Sequence, residues 1–360
     1  MSGKRFIISG GGTGGHIFPA VAIANMLKKQ VPDCEILFVG ANDRMEMQRV
    51  PEAGYEIKGL SIAGFQRGQI LSNLGLPLKV VKSLAAARKI VSDFKPSVAI
   101  GVGGYASGPL LMAASLSGVP CIIQEQNSFA GITNKILARR AKAICVAYEG
   151  MESVFPKEKI VLTGNPIRAE IIHDDISRKD AYSYFDLDEN KKTILIIGGS
   201  LGARTINESV YAYADKIKGT GTQILWQTGK VWSKENPDTE NIHQTQFIVR
   251  MDYAYAAADI IISRAGALSI AELQNIGKPV ILVPSPNVTE DHQTHNAMAL
   301  VNKNAAVLVR DSEAKEKLMD VAMHLLNDET RKSELSNNIK KMAITDAAER
   351  IVREILSVAK

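Results

Sequence analysis

The sequence predicts an α/β protein of two doubly wound domains, each a parallel sheet covered by helices, facing one another across an interdomain cleft. Three observations predict it. Two glycine-rich turns, Gly10–His16 (GGGTGGH) and Gly198–Ala203 (GGSLGA), each follow a short apolar run and each open a helical pattern, one in either half of the chain. Short β-branched runs, apolar on both faces, alternate with helical patterns along most of the length, as buried parallel strands require. The chain has 360 residues, too many for one ordinary core and suited to two domains of about 150–200 residues each.

In chain order the strand candidates of the first half are Arg5–Ser9, Glu35–Val39, Val98–Val102, Cys121–Gln124 and Ala143–Ala147. Those of the second half are Thr193–Ile197, Gln223–Gln227, Gln246–Val249, Ile260–Ser263, Val280–Val283 and Ala306–Val309. A repeated arrangement supports two halves built alike. Helices opened by Gly103-Gly104-Tyr105 and by Ala265-Gly266-Ala267 run to Gly118-Val119-Pro120 and Gly277-Lys278-Pro279. In both, glycine stops the helix and proline leads into the next strand. The Gly164-Asn165-Pro166 turn disfavours regular structure and marks the boundary, giving domains at 1–163 and 164–342. Helical patterns at Ser312–Leu326, Glu329–Met342 and Ala347–Ala359 end the chain, and segment 343–360 is expected to pack back on the first domain.

Composition narrows the class. Hydrophobic residues make up 46% and charged residues 22%, as in soluble globular proteins. No apolar run reaches the roughly 20 residues of a spanning helix, and the run before Gly10 reads as a first strand, since a signal peptide needs a longer one. Cys34, Cys121 and Cys145 lack metal-ligand spacing and read as reduced, buried thiols. The net charge of +5 is not gathered into one dense run, so nucleic acid is disfavoured as a partner. An anionic small molecule or an anionic membrane surface fits better.

Glycine turns let a backbone approach a ligand closely, and the helix that follows presents unpaired N–H groups, which suits phosphate. Neither turn is a P-loop, because no Gly-Lys-Ser/Thr follows. Neither pairs GxGxxG with an acidic residue suitably placed for a nicotinamide ribose, so hydride transfer is disfavoured. Glu272, early in the helix after Gly266, suits a ribose diol or, more simply, the helix dipole. Arg168, on a loop at the domain junction, suits a diphosphate or is a surface arginine. His16 stands at a helix N-terminus, where the dipole favours neutral imidazole; it is a general base or a capping histidine. Glu125 and Asn127 lie just past one strand end, and His292, Gln293, His295 and Asn296 occupy the matching place in the second half. His292 and His295 lack a third metal ligand. Asp186-Leu187-Asp188 reads as solvated loop rather than an ion-binding triplet.

Taken together the motifs resemble the MurG family of N-acetylglucosaminyltransferases over nearly the whole chain. The resemblance rests on GGGTGGHIFPA (10–20), GVGGYASGP (101–109), QEQNSFAG (124–131), TGNPIR (163–168), GGSLGA (198–203), WQTG (226–229), SRAGALSIAEL (263–273) and EDHQTHNA (290–297). It implies a GT-B fold of two Rossmann-like domains, an inverting mechanism, and no metal or other cofactor. The implied donor is UDP-N-acetylglucosamine. The implied acceptor is the 4-hydroxyl of muramoyl-pentapeptide on undecaprenyl diphosphate. Matched motif by motif, donor contacts fall on Thr13, Gly14, Gly15, Asn127, Arg168, Ser200, Ile248, Ala267, Leu268, Ser269, Ile270, Ala271, Glu272 and Gln293. Ile248 would meet uracil through its backbone, Glu272 the ribose, Ser200 and its turn the diphosphate, and Gln293 the sugar hydroxyls. His16 is the implied base, with Glu125 and Tyr105 as competitors or orienting groups. Rival readings are another GT-B enzyme acting on glycolipids, a UDP-sugar epimerase, and a non-catalytic cell-wall subunit.

A lipid-linked acceptor implies a peripheral protein on the cytoplasmic face of the cell membrane, with other cell-wall synthesis proteins as further partners. Ile70–Leu78 is the expected apolar contact. Pro77–Phe94 reads as an amphipathic helix packed on the sheet, with Lys79, Lys82 and Lys89 on one face and Val80, Leu84, Val91 and Phe94 on the other. Arg139, Arg140 and Lys142 add charge to the same half.

Overall fold

The computed structural model describes residues 3–62, 76–167, 176–234, 237 and 239–359. The chain divides into two units, Met1–Ile167 with Thr345–Lys360, and Arg168–Ile344.

The first unit runs β1 (Arg5–Ser9), α1 (Gly14–Gln30), β2 (Glu35–Ala41), α2 (Glu46–Glu52), β3 (Glu56–Leu60), α3 (Leu76–Phe94) and β4 (Val98–Gly101). It continues through α4 (Ser107–Leu116), β5 (Cys121–Glu125), α5 (Ile132–Leu137), β6 (Ala143–Val146) and β7 (Ile160–Leu162). Among the described residues these strands form one parallel sheet in the order β3-β2-β1-β4-β5-β6-β7. Successive residues of β1 serve opposite layers. Ile7 packs with Leu37, Ala99, Ile123 and the helices α3 and α4. Phe6 and Ile8 pack with Ile23 and Leu27 of α1 and with Ile351, Val352 and Ile355 near the end of the chain. Those last three side chains are fully buried, worth about 1.5–3 kcal/mol each.

The second unit runs α6 (Arg178–Phe185), β8 (Lys192–Ile197), α7 (Arg204–Ile217), β9 (Thr222–Gln227), β10 (Ile242–Thr245), α8 (Met251–Ala257) and β11 (Ile260–Ser263). It continues through α9 (Ala267–Ile276), β12 (Val280–Leu282), α10 (His292–Val301), β13 (Val307–Leu308), α11 (Asp311–Asn327) and α12 (Glu329–Lys340). Its sheet is also parallel, in the order β10-β9-β8-β11-β12-β13. The last helix, α13 (Ala347–Val358), belongs to the first unit, where it packs against α1.

The interior strands coincide with the apolar runs to within two residues at either end. The differences fall at sheet edges. β3 (EIKGL) and β7 (IVL) are outermost strands that sequence reading passes over, and β10 lies at 242–245 instead of the expected 246–249. An outermost strand need not be apolar on both faces, so β3 and β10 carry no continuous run, and β7 is only three residues long. The correction at β10 puts Ile248 in the loop beyond that strand. A second correction concerns α3. Ala87 and Val91 are buried, but Val80 is 44% exposed and does not join the core-facing stripe. Residues 63–75, which include most of the expected Ile70–Leu78 contact, lie outside the described residues, as does Arg168. All three cysteines are buried; burial pushes the thiols of Cys121 and Cys145 up to about 12.

Candidate active site

Because every strand in each sheet points the same way, the loops that follow them gather on one edge, where ligands of open α/β sheets bind. In the first unit two of these loops are locked together. The amide of Gly11 donates to the carbonyl of Gly103 at 3.3 Å. Gly103 and Gly104 adopt φ of +97° and +90°. A Cβ on Gly104 would lie 2.5 Å from the Gly11 carbonyl oxygen, and one on Gly103 would lie 2.7 Å from His16 Nε2. Only glycine fits both places. His16, in the first turn of α1, is half-buried, and its Nδ1 lies 2.9 Å from the Gly11 carbonyl oxygen. A carbonyl only accepts, so Nδ1 carries the proton and Nε2 is the basic nitrogen of the neutral ring.

Beneath this turn lies a residue the sequence reading missed. Glu46, 1% exposed, accepts from Gly12 N at 2.8 Å and from Ala41 N at 3.0 Å, one bond per carboxylate oxygen. A side chain on Gly11 would overlap that carboxylate. The signal was a glutamate opening a helix just past the second strand. Next to it a cavity of about 550 Å³ is lined by Asn42, Asp43, Arg44, Met45, Met47 and Gln48. Arg44 stands 6.0 Å from the ring centre of Tyr105, which is 47% exposed. Thr13 and Gly15 are exposed and Gly14 half-buried, at the start of α1, which has no side-chain cap.

Glu125, at the end of β5, is 2% exposed. Its carboxylate accepts from Asn127 N (3.1 Å), Asn127 Nδ2 (3.3 Å), Gly131 N (3.1 Å) and Asn134 Nδ2 (2.8 Å). Four donors on two buried oxygens hold the loop that carries Asn127, which suits an orienting group better than a base. Gln124, Gln126 and Asn165 interlock behind it: Gln124 Nε2 donates to Asn165 Oδ1 (2.9 Å), and Asn165 Nδ2 to the Gln126 carbonyl (2.9 Å). This network ties the QEQN segment to TGNP.

In the second unit the turn at 198–203 is braced by backbone. Lys230 N donates to Ser200 O at 3.2 Å and Gly202 N to Gly199 O at 3.0 Å. Gly202 (φ +90°) and Gly229 (φ +80°) sit so close that a side chain on either would overlap the other strand-end loop. Trp226 and Thr228 are held by Asn207 of α7, which accepts from the indole Nε1 (3.1 Å) and donates to the Thr228 carbonyl (2.8 Å). No side chain caps α7, whose N-cap is Ala203, and Ser200 is exposed. An anion is the fitting partner for such a terminus.

Gln227 Oε1 accepts from Ile248 N at 2.9 Å, so the Ile248 carbonyl is the backbone group suited to a donor such as an imide N–H. Glu272, 8% exposed in the second turn of α9, accepts from Tyr255 Oη at 3.1 Å through Oε2. The first turn of α9 also lacks a side-chain cap. Ala267, Leu268 and Ser269 stand there, whereas the Ile270 side chain is fully buried and Ala271 nearly so, restricting those two to backbone contact. Gln293 accepts from Ser285 N through Oε1 at 2.9 Å, which turns its amide N–H₂ to the role of donor. Arg264 braces this edge, donating to Val283 O (3.0 Å), Pro284 O (3.1 Å) and Asp311 Oδ1 (2.5 Å), while Thr205 Oγ1 donates to Asp311 Oδ2 (3.0 Å).

Burial holds the Lys278 ammonium down to about 8, with repulsion from Arg178 adding and Asp259 opposing. Lys278 precedes β12, at the edge opposite the glycine turns. Among the described residues no three His, Cys, Asp or Glu side chains gather as a metal site.

Two doubly wound units, each presenting a glycine turn and an uncapped helix at its strand ends, are the architecture of a GT-B glycosyltransferase. Residues 6–146 match the Glycosyltransferase family 28 N-terminal domain and residues 193–351 the family 28 C-terminal domain. The chain belongs to glycosyltransferase family 28, in its MurG branch. It is 58% identical to the UDP-N-acetylglucosamine–N-acetylmuramyl-(pentapeptide) pyrophosphoryl-undecaprenol N-acetylglucosamine transferase of Phocaeicola vulgatus, covering 99% of this chain and 96% of that one. The crystal structure of Acinetobacter baumannii MurG superposes with a TM-score of 0.80 at 30% identity, over 98% of this chain and 99% of that one. A Neisseria meningitidis UDP-GlcNAc 2-epimerase bound to UDP-GlcNAc shares the fold, with a TM-score of 0.66 at 17% identity over 98% of this chain and 100% of that one.

Proposed function

We propose that the protein transfers N-acetylglucosamine from UDP-N-acetylglucosamine to the muramoyl 4-hydroxyl of lipid-linked muramoyl-pentapeptide, with inversion at the anomeric carbon. The observation that carries this reading is 58% identity, along 99% of the chain, with a transferase named for that reaction. Fold alone would not separate it from an epimerase.

On this reading the second unit grips the donor. The Ile248 carbonyl takes the uracil imide N–H, Glu272 the ribose diol, and the amides at the start of α7 and α9 the diphosphate. Arg168 adds a cation to the departing UDP. Gln293 donates to a sugar hydroxyl. Preorganised donors of this kind stabilise leaving-group charge by several kcal/mol. In the first unit His16 Nε2 takes the acceptor proton as the hydroxyl attacks, Glu125 holds Asn127 in place, and Tyr105 with Arg44 lines the acceptor side. Among the described residues no helix is long and apolar enough to cross a membrane. A lipid-linked acceptor lies at a membrane surface. Ile132 and Ile136, 60% and 63% exposed on α5, followed by exposed Arg139, Arg140 and Lys142, suit an anionic interface.

The test supplies labelled UDP-N-acetylglucosamine to the purified protein with and without the lipid-linked acceptor. Label moving to lipid only in its presence supports the proposal. Free epimerised sugar nucleotide, or donor binding without turnover, would replace it.

A further inference from the structure

We propose that Glu46 positions His16 through a single shared peptide group, and that the pair works as one unit in proton transfer. The inference rests on the reading of His16 as the base. The carbonyl that His16 Nδ1 meets belongs to Gly11, and the N–H that Glu46 Oε2 accepts belongs to Gly12. These are the two ends of one amide. The line therefore runs from carboxylate to N–H, through the planar peptide, and from C=O to Nδ1–H, with hydrogen bonds of 2.8 and 2.9 Å.

A carboxylate on the N–H of an amide polarises it, making its carbonyl a stronger acceptor. That strengthens the bond to Nδ1–H, fixes the tautomer with Nε2 basic, and stabilises the imidazolium that forms once Nε2 has taken a proton. Carboxylates do this for histidine by direct contact in hydrolytic triads. Here the contact is relayed, and no proton passes to Glu46. The second oxygen of Glu46 is anchored on Ala41 N, so the carboxylate cannot swing away without losing both bonds. The sequence around it fits the same purpose. A side chain on Gly11 would overlap the Glu46 carboxylate, and one on Gly40 would lie 2.5 Å from its Cγ. Two glycines, Gly11 in the loop after β1 and Gly40 within β2, thus admit one buried glutamate. Its partner amide, Gly12, has φ +85°, the conformation that directs this N–H down to Glu46 while the neighbouring carbonyl meets the ring.

Two measurements test the pair. The first is ¹⁵N NMR of histidine-labelled protein at a pH where the ring is neutral, with His16→Gln identifying the signal among the six histidines. The expected spectrum has Nδ1 protonated and Nε2 bare, and Glu46→Gln shifts His16 toward a mixture of tautomers. A wild-type ring protonated on Nε2 overturns the proposal, and this result stands even where Glu46→Gln does not fold. The second is a double-mutant cycle. Glu46→Gln should lower kcat by roughly tenfold with donor KM held within about twofold, and should cost nothing further in a His16→Ala background. An equal loss in that background would show that Glu46 acts through something else. If His16→Ala leaves kcat unchanged, the base assignment falls, while the tautomer spectrum still decides the pair.

Discussion

The two glycine turns look alike in sequence and have different surroundings. The turn at 10–16 is filled by protein. Its Gly12 amide is bound to Glu46, its Gly11 carbonyl to His16, and Gly103 and Gly104 close over it. The turn at 198–203 is braced from one side by the backbone of Lys230 and Val231 and by the Gln227 side chain, and opens into a helix that no side chain caps. A glycine-rich turn is thus permission for close approach, and the approaching group decides the chemistry. In one turn that group is the Glu46 carboxylate. In the other the helix that follows has no side-chain cap, a setting that favours an anion.

This division is open to direct attack. The largest effect is expected from His16→Ala, which should lower kcat by about 10²–10⁴-fold and leave UDP affinity, measured by calorimetry, nearly unaltered. A parallel loss of UDP affinity would mean that the first turn holds the donor diphosphate after all. Next comes Gly202→Ala. Its φ of +90° and its overlap with the Thr228 carbonyl force the second turn to shift, at a cost of about 2–4 kcal/mol in stability. UDP affinity should fall roughly a hundredfold, with kcat at saturating donor affected far less. Unchanged UDP binding in a folded variant would detach the diphosphate from this turn.

The contrast also explains what could be read in advance. Interior strands announced themselves because both faces are buried, so Phe6-Ile7-Ile8 and Ile194–Ile197 are unbroken apolar runs. The edge strands β3 and β10 did not, because they lack a neighbour on one side and tolerate Glu56, Lys58, His243 and Gln244, and β7 (IVL) is too short a run to stand out. The positions of His16 at a helix start and Glu272 early in a helix were legible from local pattern. Glu46, Gln227 and Tyr255 were not. Each acts through a partner far along the chain: Gly12, Ile248 and Glu272 respectively. Only the fold brings those pairs together.

A smaller effect is expected where donor recognition leaves the turn and reaches the nucleoside. Glu272→Ala should weaken UDP by about 1.5–3 kcal/mol, the worth of hydrogen bonds to a charged group. That is roughly ten- to a hundredfold in Kd. Affinity for inorganic pyrophosphate should not move. Equal weakening of both ligands would make Glu272 a support for the diphosphate end and erase the distinction between ribose and turn.

The smallest effect sharpens the same point. Tyr255, 1% exposed on α8, donates its hydroxyl to Glu272 Oε2. Tyr255→Phe keeps the ring and its packing and removes that one hydrogen bond. One carboxylate oxygen then loses a partner and Glu272 gains freedom to turn from the ribose. The loss should be about 0.5–1.5 kcal/mol, roughly threefold to tenfold in UDP affinity. It should vanish when Glu272 is already alanine, because the hydrogen bond being removed is then already gone. On the proposed reading kcat at saturating donor should be untouched, since the His16 tautomer is fixed by the Gly11 carbonyl. A fall in kcat instead of UDP affinity would show that the two turns are coupled in the chemical step, and the division of labour between them would have to be redrawn.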